Sequence, residues 1–126
     1  MNAVISRCVV VLPWPDSSLL PNRSSGHHWA VKQTAKQAAR LTAISKAQDF
    51  NIGDVTVDHA VTIILEPPDR RKHDVDGVLS ALKPSLDGIA ASLGIDDFHF
   101  NPITIIRAEQ THGGRVTVRI DDAIPF

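Results

Sequence analysis

Cysteine is nearly absent from this chain. A single thiol, Cys8, stands among 126 residues, so neither an intrachain disulfide nor a cysteine-ligated metal site can form. Set in an apolar run, Cys8 reads as a buried core thiol. Six histidines, at 27, 28, 59, 73, 99 and 112, form no H-x-x-x-H or H-E-x-x-H pattern, which argues against zinc hydrolysis. His27 and His28 read as part of a helix start or a phosphate-contacting loop. No glycine-rich phosphate loop follows a predicted strand, so nucleotide-binding folds are not expected, nor is a small-molecule cofactor. Neither Cys8 nor Ser24-Ser25-Gly26 has an identifiable base partner for nucleophilic catalysis. No segment is long and apolar enough to span a bilayer. The run Val9–Leu12 stops at Pro13, far short of a signal core. The expectation is a cytoplasmic protein with no membrane partner.

What is present is ordinary globular material. Apolar residues make up 43% and charged residues 21%, which suits one domain over residues 1–126 with one core. The net charge of −1 does not advertise a polyanion partner, but its distribution is uneven. Residues 21–50 carry Arg23, Lys32, Lys36, Arg40 and Lys46 against Asp49 alone, whereas residues 54–97 carry nine acids against four bases. One part could face a polyanion while the other holds cations. Solvated helix faces would give the same pattern.

The chain shows no internal repeat. VISRCVVVL, residues 4–12, is rich in β-branched residues and predicts a strand. Pro13, Pro15 and Pro21 make the next stretch a loop, long enough for a functional role. Residues 28–48 have helical composition, and Lys32, Lys36 and Arg40 recur every fourth residue on one face. Residues 55–65 predict a strand that Pro67-Pro68 stop, and residues 74–93 a second helix capped by Gly94. Residues 103–109 and 115–121 alternate around Thr111-His112-Gly113-Gly114, which predicts a closing hairpin. The order β-α-β-α-β-β implies an α+β fold with a mixed sheet and two main helices.

The densest chemistry lies in PPDRRKHDVDGVLSALKPSLDGIAASLGIDD, residues 67–97, which holds six of the fourteen carboxylates and four of the thirteen Lys and Arg residues. Val75, Val78, Leu79, Leu82, Leu86, Ile89, Ala90 and Leu93 form one apolar stripe at helical period. The stripe keeps its phase across Pro84, so the segment reads as one kinked helix, with two shorter helices as the alternative. Asp76, Ser80, Lys83 and Asp87 share another face, where they can line a groove.

Two readings fit these residues. In the structural one, Asp74 caps the helix, Asp76 complements its dipole, Lys83 and Asp87 form a surface pair, and Asp96-Asp97 make a turn. In the catalytic one, Asp74 and Asp76 are joined by Asp97 as hard oxygen ligands for Mg²⁺. Crowded carboxylates repel without a cation. Arg70, Arg71, Lys72 and Lys83 would offset that repulsion and attract a phosphodiester. Trp14 and Trp29 flank the N-terminal loop. They are expected in the core, with stacking on unpaired bases as the alternative.

At DRRKHDVDGVLSALKPSLDGIAASLGIDD the sequence resembles the RusA family of Holliday-junction resolvases. The shared pattern is a basic run, a D-x-D, a lysine three residues before L-D, and a D-D after the helix. VLPWPDSSLLPN also looks like the family's opening strand and loop, and Gly113-Gly114-Arg115-Val116-Thr117-Val118 like its last hairpin. The resemblance implies a homodimeric endonuclease dependent on Mg²⁺ (Mn²⁺ as a substitute) that resolves four-way DNA by paired nicks. It places acidic metal ligands at Asp74, Asp76 and Asp97, with Asp96 a secondary candidate, and the essential lysine at Lys83. Arg70, Arg71, Lys72, Lys32, Lys36 and Arg40 are the expected DNA contacts.

The sequence departs from that pattern in three places. Gly77 stands where the family has Asn, His73 replaces a basic residue, and Lys83 lies further beyond Asp76 than in the best-known members. Two alternatives stay open: a non-catalytic junction-binding protein, and a nuclease for flaps or forks.

Overall fold

The computed structural model describes residues 6–20 and 29–121. It confirms a small α+β domain with two helices and a four-stranded mixed sheet. The elements are β1 (Ser6–Pro13), α1 (Trp29–Ala47), β2 (His59–Glu66), α2 (Val75–Leu93), β3 (Phe100–Arg107) and β4 (Arg115–Asp121). Short 3-10 turns occupy Ser17–Leu19 and Asp97–His99. His27, His28, Arg23 and Ser24-Ser25-Gly26 lie outside the described residues.

Alternation in the strands sorts side chains between two faces. Cys8, Val10 and Leu12 of β1, Val61, Ile63 and Leu65 of β2, and Val116, Val118 and Ile120 of β4 all enter one buried core. Both helices pack on that side, α2 through Val78, Leu82, Leu86, Ile89 and Ala90 and α1 through Ala43 and Ala47. The apolar stripe on α2 therefore behaves as its period predicts, and the helix runs unbroken through Pro84. Burial pushes the Cys8 thiol up to about 11, as expected of a core cysteine. Val9 and Val11 alternate onto the opposite face and are exposed.

The two helices meet where a side chain would obstruct them. A β-carbon at Gly88 would collide with the Arg40 carbonyl oxygen and lie 3.1 Å from the Ala43 β-carbon. Glycine there lets the backbones of α1 and α2 approach closely.

The predicted hairpin is not formed. The sheet order is β1-β4-β2-β3, with β4 antiparallel to both β1 and β2, while β3 runs parallel to β2 at the edge. The segment between β3 and β4 crosses the end of β2 instead of folding back. Ala108 N–H donates to the Leu65 carbonyl at 2.8 Å and Thr111 N–H to the Pro67 carbonyl at 2.9 Å. Gly113 and Gly114 have φ of 78° and 71°, so the turn signal was sound and its partner strand was wrong. A β-carbon on Gly114 would sit 3.0 Å from both Pro68 Cδ and Trp14 Cβ, a crowding set by the pairing of β4 with β1 and β2. Alternation identifies a strand without naming its neighbour.

Two smaller expectations also change. The second strand begins at His59, later than the predicted 55, because 55–58 form a turn after Asp54 accepts from Thr56 N–H at 2.8 Å. Trp14 is half-buried against the core, but Trp29 is 75% exposed. Trp29 is the first residue of α1, and the buried face of that helix is built from small residues near its other end.

The crossover is fastened by one carboxylate. Glu66 accepts from Arg115 Nε at 2.7 Å, from Arg115 Nη2 at 3.0 Å and from the Thr111 hydroxyl at 2.7 Å. These bonds hold the Glu66 carboxyl down from 4.5 to about 2. Among the described residues no helix is long and apolar enough to cross a membrane.

Two predictions follow from this packing. Gly88→Ala should destabilise the domain by roughly 1–3 kcal/mol through overpacking, lowering Tm by several degrees in thermal unfolding. Glu66 has a folded pKa below its unfolded one, so its contribution is full above about pH 4.5 and is lost as pH falls towards 2. Denaturant melts across that window should show a steeper acid loss for the native chain than for Glu66→Gln, and equal slopes would refute the assignment.

Candidate functional site

The β2-α2-β3 unit is a crossover between parallel strands, so α2 spans the domain and its two ends point to different regions. At its start, Asp74 is the N-cap, and its Oδ1 accepts from the Asp76 N–H at 3.2 Å. Asp76 stands in the first turn, and both carboxylates are exposed. The capping role read from sequence is thus present, and it occupies only one Asp74 oxygen.

At the far end, Gly94 closes the helix in the left-handed conformation with φ 73°. Asp96 then caps the 3-10 turn that begins with Asp97, accepting from Phe98 N–H at 2.9 Å. Burial raises the Asp97 pKa, and the neighbouring Asp87 and Asp96 carboxylates raise it further. The structure therefore brings Asp97 together with Asp87 and Asp96. It does not bring Asp97 to Asp74 and Asp76: Asp87, which Asp97 neighbours, stands eleven residues along α2 from Asp76, a rise of about 16 Å. Among the described residues no group of three potential ligands could hold a metal ion.

The basic run lies just before Asp74. Arg70, Arg71 and Lys72 line a concavity of about 470 Å³ together with Trp14, His73 and Arg107. Asp69, which the sequence reading passed over, organises it. Asp69 accepts from Arg71 Nε and Nη2 at 3.1 and 2.9 Å, and its Oδ1 lies 2.9 Å from His73 Nε2. Bonding to Arg71, then to His73, holds the Asp69 carboxyl well below the usual carboxylate range, so it stays ionised. Arg70 Nε donates to Gln110 at 3.1 Å, tying the run to the crossover segment. The Trp14 ring meets His73 edge-on at 5.2 Å. Asp69 lay in the quoted stretch, two residues before Arg71, and that local spacing was its signal. Arg107 and Gln110 reach the concavity only through the crossover, so no local pattern marked them.

Lys83, midway along α2, is exposed. It lines a second groove, of about 480 Å³, with Ser80 and Asp87 of its own helix and Lys32 and Lys36 of α1. Asp76 does not line that groove, and neither does Arg40. Along the chain, the Asp74–Asp76 pair stands between residues of the two concavities: Lys72 and His73 before it, Ser80 and Lys83 after it.

No family profile matches the chain. An "Uncharacterized protein" of Xylella fastidiosa (strain Temecula1 / ATCC 700964) is 33% identical over 115 residues, covering 88% of this chain and 74% of that protein. The crossover junction endodeoxyribonuclease RusA of Enterobacteria phage HK97 is 36% identical over 62 residues, covering 49% of this chain and 50% of the phage enzyme. Half of this chain is thus similar to half of a phage junction endonuclease, and most of it is similar to a bacterial protein whose name carries no activity.

Proposed function

We propose that the chain is a metal-dependent endonuclease for branched DNA, with the four-way junction as its main substrate. The observation that carries this reading is that the exposed Asp74 and Asp76 lie in the chain between residues that line two basic concavities. The similarity to the phage junction endonuclease supports it.

Mg²⁺ is commonly bound by one or two carboxylates, with waters and substrate phosphate completing its shell. Asp74 and Asp76, both exposed in one helical turn, fit that minimal donor set. Asp97 does not fit it within one chain and would have to be supplied by a second copy or take no part in holding the ion. A bound ion, held by Asp74 and Asp76, would supply Lewis-acid polarisation of the phosphate and an activated water.

The chain's own residues do the rest. Arg71, fixed by Asp69, and Lys72 hold phosphate charge beside the helix start. Hydrolysis adds a water oxygen to phosphorus and breaks one P–O ester bond, and the leaving oxygen takes up a proton. Lys83 stabilises negative charge that develops in that step. A homodimer would present two equivalent sites to opposed strands of a two-fold junction.

A second reading rests on the separation of Asp97 from Asp74 and Asp76. A chain that needs all three ligands and does not assemble them would bind junctions without cutting.

The test is incubation with labelled four-way DNA and matched linear duplex, with Mg²⁺ or with chelator. Paired nicks confined to the junction, requiring metal and abolished by Asp76→Asn, are the expected result. Lys83→Ala should lose about 10²–10³-fold in kcat, the usual cost of removing one electrostatic stabiliser. Metal-independent cutting, or full activity in Asp76→Asn, would remove the site assignment. Tight binding with no nick under any condition would favour the second reading.

A further inference from the structure

The groove between α1 and α2 has a charge pattern that folding alone does not explain. Lys32 and Lys36 from α1 and Lys83 from α2 line it, with Asp87 as the one carboxylate among the described residues of its wall. None of the three lysines forms an ion pair among the described residues. Like charges gathered in one groove oppose folding unless an anion joins them. Ser80 from α2 adds a neutral hydrogen-bonding hydroxyl to the same wall.

Shape narrows the choice of anion. The lysines come from two packed helices and converge on one groove, so they suit a single nucleic-acid backbone running between them. The groove is bounded towards the C-terminal half of α1, where the Arg40 carbonyl meets Gly88. Lys32 and Lys36 are one helical turn apart, a rise of about 6 Å, on the scale of the step between successive phosphates in a strand. Among the described residues no aromatic side chain lines the groove, so they offer charge and hydroxyls without a stacking platform.

We infer that this groove is a track for a single DNA strand, in which Lys32 and Lys36 grip the phosphates flanking the one presented at Lys83. This inference rests on the endonuclease reading above and adds to it two positioning residues and a strand path. Lys32 and Lys36 act on where the substrate lies, and they read backbone rather than sequence. Arg40 lies beyond the groove and has no part in the track.

The test uses the full chain and a fluorescent four-way DNA in chelator, so that binding is read without cleavage. Affinity is measured against salt for the native chain, for Lys32→Ala with Lys36→Ala, and for Lys46→Ala. Lys46 sits in the last turn of the same helix and carries the same charge outside the groove. Alanine is the best helix former, so the double variant keeps α1. The slope of log affinity against log salt should shrink by about 0.7–0.9 per lysine removed, near the values for single and double strands. Lys46→Ala should keep the native slope. In Mg²⁺ the double variant should raise KM more than it lowers kcat, and Lys32→Arg with Lys36→Arg should restore the slope.

A double variant with native slope and native affinity would overturn the track. So would an equal loss in Lys46→Ala, which would mean that only the overall charge of α1 matters. If the native chain binds and the slopes divide as expected but nothing is cut, the track stands and the endonuclease reading falls. If the native chain binds no DNA, both fall.

Discussion

The close approach of α1 to α2 at Gly88 is the contact on which the rest depends. Because no side chain intervenes there, the two helices can share one core against the sheet. In the N-terminal direction from that contact, lysines of both helices share a groove, and before the start of α2 the basic run lines a concavity. A fold with the same strands and a wider helix spacing would keep its core residues and lose this arrangement of charge.

Electrostatics in this domain divides into two kinds. Some charges are satisfied by the protein itself: Glu66 binds Arg115 and Thr111, and Asp69 binds Arg71 and His73. These pairs hold loops in place, and the carboxylates remain ionised well below neutral pH. Others have no such partner among the described residues, and they line the concavities around α2. The Asp87, Asp96 and Asp97 group is intermediate, since Asp97 feels its acidic neighbours and resists losing its proton. Structural pairing and unmet charge therefore lie side by side within a few residues of sequence.

Local order was legible before the structure, and long-range order was not. The stripe on α2, the Asp74 cap and the Gly94 cap each depend on residues within a turn or two of one another, and each appears as read. The place of β4 between β1 and β2 depends on contacts at least 49 residues apart, which alternation cannot encode. The same limit governs the site. Asp74, Asp76 and Lys83 could be set on α2 by counting, yet whether Asp97 returns to them depends on where the chain goes after Gly94. It goes to Asp87 instead. Trp29 was misplaced for a related reason: size predicts burial only when a partner surface lies opposite.

The central position of β4 has a consequence for how the chain acquires its structure. Among the described strands, β1 has one neighbour, and that neighbour, β4, follows the other three in sequence. During synthesis the helices and the β2–β3 pair can form from nearby sequence, while β1 must wait with its apolar side chains unsheltered. The loop joining its residues to those of β4 spans most of the domain, so ordering it is entropically slow. Completion of the fold thus hinges on the emergence of residues 115–121, and a nascent chain stalled before them would present an unpaired, valine-rich segment to whatever chaperones or other chains lie nearby.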